Sequence, residues 1–231
     1  MPPPRALRPA GVPDDGHAAG HSAFRAAEAE VAAGIAASSA ARPEVSFDDE
    51  PPPRRLAPQA LAIAASVEVS GHELGVGRFV LLYDPASQEG WAGPFRVIAY
   101  LRAELEPEIA ADELIGQVGW SWLTEALELG EAGYAAPSGT VTTVVTEGFG
   151  AKADQPVATE FEMRASWSPV AEGQVGYGLD RHVSAWVEAL CAACGMPPVQ
   201  PGVTLLPPRQ GQRGVPGSRP PGSAEPPRRR P

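Results

Sequence analysis

The most reactive side chains are two thiols, Cys191 and Cys194, in a Cys-x-x-Cys arrangement. In redox proteins such a pair lies at the start of a helix, where the thiol pKa is lowered. Here the pair continues an apolar stripe and is followed by Gly195, which predicts the end of a helix. We therefore expect both thiols to be buried and to behave as small hydrophobic groups. The stripe consists of Val183, Trp186, Val187 and Leu190.

A zinc site made of the two cysteines, His72 and His182 is the alternative interpretation of this pair. The positions of the two histidines in the chain do not give the ligand spacing that is typical of zinc sites. We predict no metal ion and no cofactor.

The histidines could also supply a catalytic base. They are His17 and His21 near the N-terminus, His72 in a predicted turn at residues 71–75, and His182 at the start of the last predicted helix. No serine stands in the Gly-x-Ser-x-Gly elbow that a Ser-His-Asp hydrolase requires, and no glycine cluster has the order of a phosphate-binding loop. We expect solvated histidines and no catalytic residue.

The charge is unevenly distributed along the chain. The whole chain has 18 Lys+Arg and 28 Asp+Glu, a net charge of −10. Residues 201–231 carry six arginines and one glutamate, and residues 1–20 are neutral, so residues 21–200 hold 10 basic and 25 acidic groups. Because phosphates require a basic patch, we expect nucleic acid to contact at most the basic C-terminal tail.

Membrane and secreted classes are also disfavoured. No apolar run approaches the roughly 18 residues that a membrane-spanning helix needs. The N-terminus has no apolar stretch of the kind found in secretory signals, and two cysteines are too few for a disulfide scaffold. We expect a cytoplasmic protein without a membrane partner.

The distribution of aromatic residues predicts the domain boundaries. All 15 aromatic residues lie between Phe24 and Trp186, whereas prolines accumulate at both ends. Segments without aromatics and rich in Pro and Arg cannot bury enough apolar surface to offset the entropy of ordering. We predict a disordered tail at 1–21, a single domain at 22–204 and a disordered, basic, Pro-rich tail at 205–231.

Hydrophobic periodicity predicts the order α-β-β-β-α-β-β-α within the domain. Adjacent strands with short turns favour an antiparallel sheet, so we predict an α+β fold in which helices pack on one face of five strands. Residues 43–55 are interpreted as a polar connector. The predicted helices cover residues 22–41, 107–130 and 180–195, and the strands cover 61–69, 78–83, 95–101, 140–149 and 157–167.

The other face of the sheet is the predicted recognition surface. Strand alternation places on it a set of charged residues together with one tyrosine. These groups are not needed for the core, and their mixed charge suits a protein partner better than a phosphate polymer. The candidates are Arg78, Arg96, Tyr100, Arg102, Glu160, Glu162 and Arg164.

Six strings of the predicted domain are distinctive: residues 24–27 (FRAA), 43–45 (PEV), 58–62 (PQALA), 77–85 (GRFVLLYDP), 90–97 (GWAGPFRV) and 120–123 (WSWL). They resemble the actinobacterial domain of unknown function 3000 family. The resemblance covers the predicted domain and implies no activity, so it supplies no catalytic residue. The predicted order of elements is separately similar to that of type III secretion chaperones, which implies a dimeric binding protein without a cofactor.

These observations predict a binding or adaptor protein that acts through a protein partner, rather than an enzyme. Self-association into a homodimer is compatible with the sequence. An enzyme or small-molecule binder with a pocket between the sheet and the central helix is the alternative. A third hypothesis is an accessory protein of RNA processing.

Overall fold

The computed structural model describes residues 15–171, 173 and 176–199, which form four helices and one six-stranded antiparallel sheet. The strand order is β1-β2-β3-β4-β6-β5. The α+β prediction is confirmed, but the predicted strand count of five is wrong. The helices are α1 Asp15–Ala41, α2 Pro107–Ala110, α3 Ile115–Leu129 and α4 Leu179–Ala193. The strands are β1 Val45–Glu50, β2 Gln59–Val69, β3 His72–Tyr83, β4 Phe95–Glu104, β5 Tyr134–Thr146 and β6 Ala158–Pro169.

The strand that the sequence analysis missed is β1, within the segment interpreted as a polar connector. Val45 is buried and Phe47 is half-buried, and both pack against the main core, while β1 pairs with β2 alone. An edge strand with a single buried face needs few apolar residues, and the acidic run at residues 48–50 concealed the alternation. The order of elements therefore differs from the predicted one, and the likeness to secretion chaperones loses its basis.

The first helix also begins earlier than predicted. α1 starts at Asp15 and not at residue 22, so residues 15–21 belong to a helix and not to a tail. Phe24, Ala27 and Val31 face the core at helical spacing. The remainder of the predicted N-terminal tail and the whole predicted C-terminal tail lie outside the described residues.

A tight turn connects β2 and β3. Ser70 and Gly71 form a two-residue connection with φ angles of 55° and 81°. Two positive φ values match the type I′ turn, whose twist suits a hairpin, and glycine accepts this geometry readily. As a result β3 begins at His72, six residues before the predicted start at residue 78.

The central helix is not continuous as predicted. The four-residue α2 is separated from α3 because the Leu114 N–H donates to Asp112 Oδ1 at 2.8 Å. This local side-chain bond competes with helix continuation. α3 then buries one row of residues, namely Ile115, Gly119, Leu123 and Leu127.

α1, α3 and α4 pack on one face of the sheet, with α4 between the other two. The Trp186 ring of α4 lies 5.6 Å from the Phe79 ring and 6.4 Å from the Phe47 ring. Buried Arg42, at the end of α1, binds Glu188 of α4 and the Pro197 carbonyl. Within the described ranges, every helix is too short or too polar to cross a lipid bilayer.

Candidate functional site

The sheet face opposite the helices, which we call the open face, carries all seven predicted site residues. Strand pairing brings them together: Tyr100 of β4 lies between Arg78 of β3 and Arg164 of β6. Two residue pairs further along, and therefore on the same face, Arg102 faces Glu162. The remaining two are Arg96 on β4 and Glu160 on β6. The assignment of these residues to one face by alternation is therefore correct.

Three arginines of the open face each have a glutamate partner. Arg102 Nη1 lies 3.6 Å from Glu160 Oε1. Arg164 Nη2 lies 2.7 Å from Glu162 Oε1. The third pair joins Arg78 Nε to Glu50 Oε2 at 2.6 Å, without hydrogen-bond alignment. The surface is therefore electrically mixed, with neighbouring charges of opposite sign.

Tyr100 contacts both members of the Glu162–Arg164 pair on the open face. Its hydroxyl donates to Glu162 Oε2 at 3.2 Å, and the Arg164 guanidinium lies 5.9 Å from the centre of its ring. Burial, followed by the hydrogen bond to Glu162, raises the pKa of the Tyr100 phenol. Tyr100 is therefore a neutral hydrogen-bonding group at physiological pH.

Arg96 differs from the other candidates because it is only 8% exposed. Its guanidinium donates to the Ala136 carbonyl at 3.0 Å and to the Oγ atoms of Ser138, Ser166 and Ser168. Burial lowers its pKa. These bonds hold the irregular start of β5, where the register shifts between Ala135 and Ser138. The expectation that Arg96 is free for a partner is wrong, since its terminal N–H groups are already used.

Two adjacent grooves lie on the open face. The first, of about 850 Å³, runs over β4, β6 and the start of β5, with Leu82 and Trp91 among its apolar residues. The second, of about 670 Å³, has a floor of small side chains that includes Ala64 and Val76. Ile98 and Arg164 line both grooves. Both are open to solvent and neither encloses a cavity.

Sequence reasoning missed the contribution of β1 to this site. Asp48 and Glu50 form the acidic side of the second groove, and Glu50 binds Arg78. The signal was the alternation of Val45 and Phe47 with polar residues, which places Asp48 and Glu50 on the opposite face.

A family model described as "Protein of unknown function (DUF3000)" matches residues 21–204. The chain belongs to the DUF3000 family. No curated protein and no solved structure matches the chain significantly. The family description assigns no activity, so the chemistry of this DUF3000 protein must be argued from its own residues.

The two cysteines of this DUF3000 chain are free thiols at the end of α4. Cys191 is buried, Cys194 is half-buried, and neither is in a disulfide. Burial raises the pKa of both thiols to about 12. Neither thiol is therefore a nucleophile at neutral pH. Among the described residues, no group of three or more His, Cys, Asp or Glu side chains could hold a metal ion.

One histidine is not solvated as predicted. His21 and His72 are exposed, and the side chain of His17 lies outside the described part. His182 is completely buried, and the Trp167 indole N–H donates to its Nδ1 at 3.1 Å. An indole N–H on the helix face of β6 needs an acceptor, and the first turn of α4 supplies it. His182 thus has a structural role.

Proposed function

We propose that the protein is a cytoplasmic binding protein and that its open face docks a segment of another protein. The observation that carries this proposal is the arrangement around Tyr100, where three arginine–glutamate pairs stand on a sheet face that none of the four described helices covers. Groups of this kind contribute little to folding but govern partner choice and association rate. The free thiols of buried Cys191 and half-buried Cys194 suit a reducing compartment.

The charge pattern favours a protein over a nucleic acid as the partner. Each of Arg78, Arg102 and Arg164 has a carboxylate within ion-pair distance, so the surface lacks the excess positive charge that phosphates require. Because these arginines are paired, the RNA-processing hypothesis depends on the basic residues of the C-terminal tail, which lie outside the described part.

The shape of the grooves favours a macromolecule over a small molecule. Small-ligand sites bury most of the ligand surface, whereas both grooves are open. At the place proposed for the alternative pocket, α3 packs closely on the sheet: the Trp122 and Phe161 rings lie 5.3 Å apart. No specific observation favours a ligand between them.

The groove lining indicates the chemistry of the partner segment. Small and apolar side chains such as Ala64, Val76 and Ile98 line the second groove, and charges of both signs border it. An amphipathic segment would place apolar residues on these side chains and oppositely charged residues against the flanking acids and arginines.

Affinity capture from native lysate tests the proposal. The variant Arg102→Glu with Arg164→Glu changes two exposed residues of the open face. The matched control, Arg25→Glu with Lys152→Glu, makes the same charge change at exposed positions outside the open face. We expect wild type and control to recover one protein in similar stoichiometric amounts, and the open-face variant to lose it.

Equal recovery by the open-face variant would refute this docking surface. A metabolite that co-purifies in native mass spectrometry would favour the small-molecule alternative. Recovery that is abolished by nuclease would favour the RNA-processing hypothesis.

A further inference from the structure

The two edges of the sheet are built very differently. β1 is six residues long, contains Asp48, Asp49 and Glu50, and is followed by Pro51, Pro52 and Pro53. Charges and prolines are the usual devices that prevent an edge strand from pairing with another chain. β1 is therefore a protected edge.

β5, the opposite edge, lacks these devices. It is 13 residues long and contains no charged residue, and its single proline, Pro137, stands near its start. From Thr140 to Thr146 it consists of threonine and valine alone, residues that favour extended backbone. Val144 is 42% and Val145 is 63% exposed. Uncharged edges of this length, made of β-branched residues, are unusual in isolated sheets.

Among the described strands, β5 has no neighbour on its outer side, so its outer main-chain groups have no strand partner there. The strand pairs with β6, and no other described strand lies beside it. An antiparallel strand presents alternate N–H and C=O groups to each side, so the outer row can hydrogen-bond a further strand.

The sequence of β5 is complementary to itself. If two copies pair antiparallel about Thr143, Thr140 faces Thr146 and Val141 faces Val145 of the other copy. Thr142 then faces Val144, and Thr143 faces its own equivalent. Opposed residues share a face, and every opposed pair consists of threonine or valine, β-branched residues whose cross-strand packing is favourable. No two charged residues face each other in this register. This favours association, because each chain has a net charge of −10 and the two chains repel each other overall.

We propose that β5 pairs with β5 of a second copy of the chain, antiparallel and centred on Thr143. This closed two-fold arrangement joins the two six-stranded sheets into one sheet of twelve strands. Open sheets with this number of strands occur in large α/β proteins. Because directly opposed residues share a face, the open faces of both copies lie on the same side. The dimer thus presents two adjacent docking surfaces to a bivalent partner.

Charge placed at the two-fold axis tests the proposal. In Thr143→Lys, identical charges face each other, and the same holds for Thr143→Glu. We expect sedimentation velocity to give a wild-type dimer and to show dimer dissociation constants raised by about tenfold or more in each variant alone. An equimolar mixture of the two variants should form the heterodimer with affinity close to wild type. Ser46→Lys, on the edge strand β1, is the matched control and should dimerise normally.

Amide hydrogen exchange of the full wild-type chain gives a second readout that does not depend on a variant. Alternate amides of residues 140–146 should exchange slowly above the dissociation constant and quickly below it. A monomeric wild-type chain, or a dimer that both Thr143 variants leave intact, would overturn the proposal. Monomeric wild type whose captured partner is lost in the Thr143 variants would also overturn it, since another protein would then occupy this edge.

Discussion

The two faces of the sheet use alternate residues of the same strands, yet they differ in almost every physical property. On β6, Phe161, Met163 and Trp167 point to the helices and are at most 1% exposed. Their neighbours Glu162 and Arg164 point to the open face and form an ion pair. The helix face therefore holds the main hydrophobic core, with a smaller buried cluster around Val80 and Leu82 on the open face, and the exposed residues of the open face are free to vary in charge.

The helix face owes its stability to close approach. A Cβ added to Gly75 would lie 2.6 Å from Cys194 Sγ, and one added to Gly77 would lie 2.9 Å from the Trp186 ring. These glycines let α4 approach β3, and the space they leave is filled by side chains of α4. Truncation of the large side chains on this face should therefore be far more costly than changes at exposed positions of the open face.

The largest expected effect comes from adjacent residues of β6. Phe161→Ala removes a fully buried ring that packs on Trp122 and Gly119, and should lower the free energy of unfolding by about 3–5 kcal/mol. Glu162→Ala, one residue further along, should cost about 0–1 kcal/mol, as surface ion pairs do. Urea denaturation of both variants measures the difference. Comparable losses would mean that the two faces are not energetically distinct.

Arg96 separates the effect of burial from the effect of the sheet face, because it lies on the open face but is buried. Arg96→Ala should cost about 2–3 kcal/mol, since a buried charge-assisted hydrogen-bond network is lost. Arg102→Ala is the matched change at an exposed position of the same strand and should cost about 0–1 kcal/mol. Denaturant midpoints of the two variants measure the difference. If Arg96→Ala lowers the free energy of unfolding no more than Arg102→Ala does, the hydrogen bonds of Arg96 do not stabilise the start of β5.

The cysteines give a smaller, pH-dependent effect on the helix face. Cys191→Ala with Cys194→Ala should destabilise by about 1–3 kcal/mol at neutral pH. Burial raises the folded thiol pKa values from 9.0 to about 12. The stability that depends on neutral thiols is thus complete below pH 9 and is lost as the pH rises towards 12.

The difference in unfolding free energy between wild type and the double cysteine variant, which we call the gap, should therefore become smaller in alkaline solution. Unfolding free energies of both proteins, measured at neutral pH and again above pH 9, give the gap directly. A constant gap would show that the thiols titrate alike in folded and unfolded chains.

The smallest expected effect is the coupling between Arg102 and Glu160. Their side chains are 46% and 42% exposed and their charged atoms lie 3.6 Å apart. A double-mutant cycle to alanine should give about 0–1 kcal/mol, reduced further by added salt. A coupling that salt leaves unchanged would mean that this part of the open face is screened from solvent.

The local pattern was enough to predict the faces of most strands. Alternation on β3, β4 and β6 assigned every candidate site residue to the correct face, because side chains in a strand alternate whatever the strand pairs with. The α+β class and the last helix followed from the same kind of pattern. Partner binding stays a prediction, since no described contact involves a second molecule.

Local patterns failed where burial depends on distant segments. Arg96 is an exposed candidate by alternation, but the start of β5 covers it. His182 was expected to be solvated, but it accepts a hydrogen bond from Trp167 inside the core. In both cases the polar group is buried because a partner from another element satisfies it.

By itself, the sequence determined the antiparallel α+β class and the face on which each candidate side chain lies, because residue alternation is a property of consecutive residues. Only the tertiary structure decided that β6 lies beside β4, which leaves β1 and β5 as the two edges. Strand order depends on pairing between segments far apart in the chain, and no local period encodes it. The difference between a protected edge and an available one, on which the proposed dimer rests, appears only once that order is known.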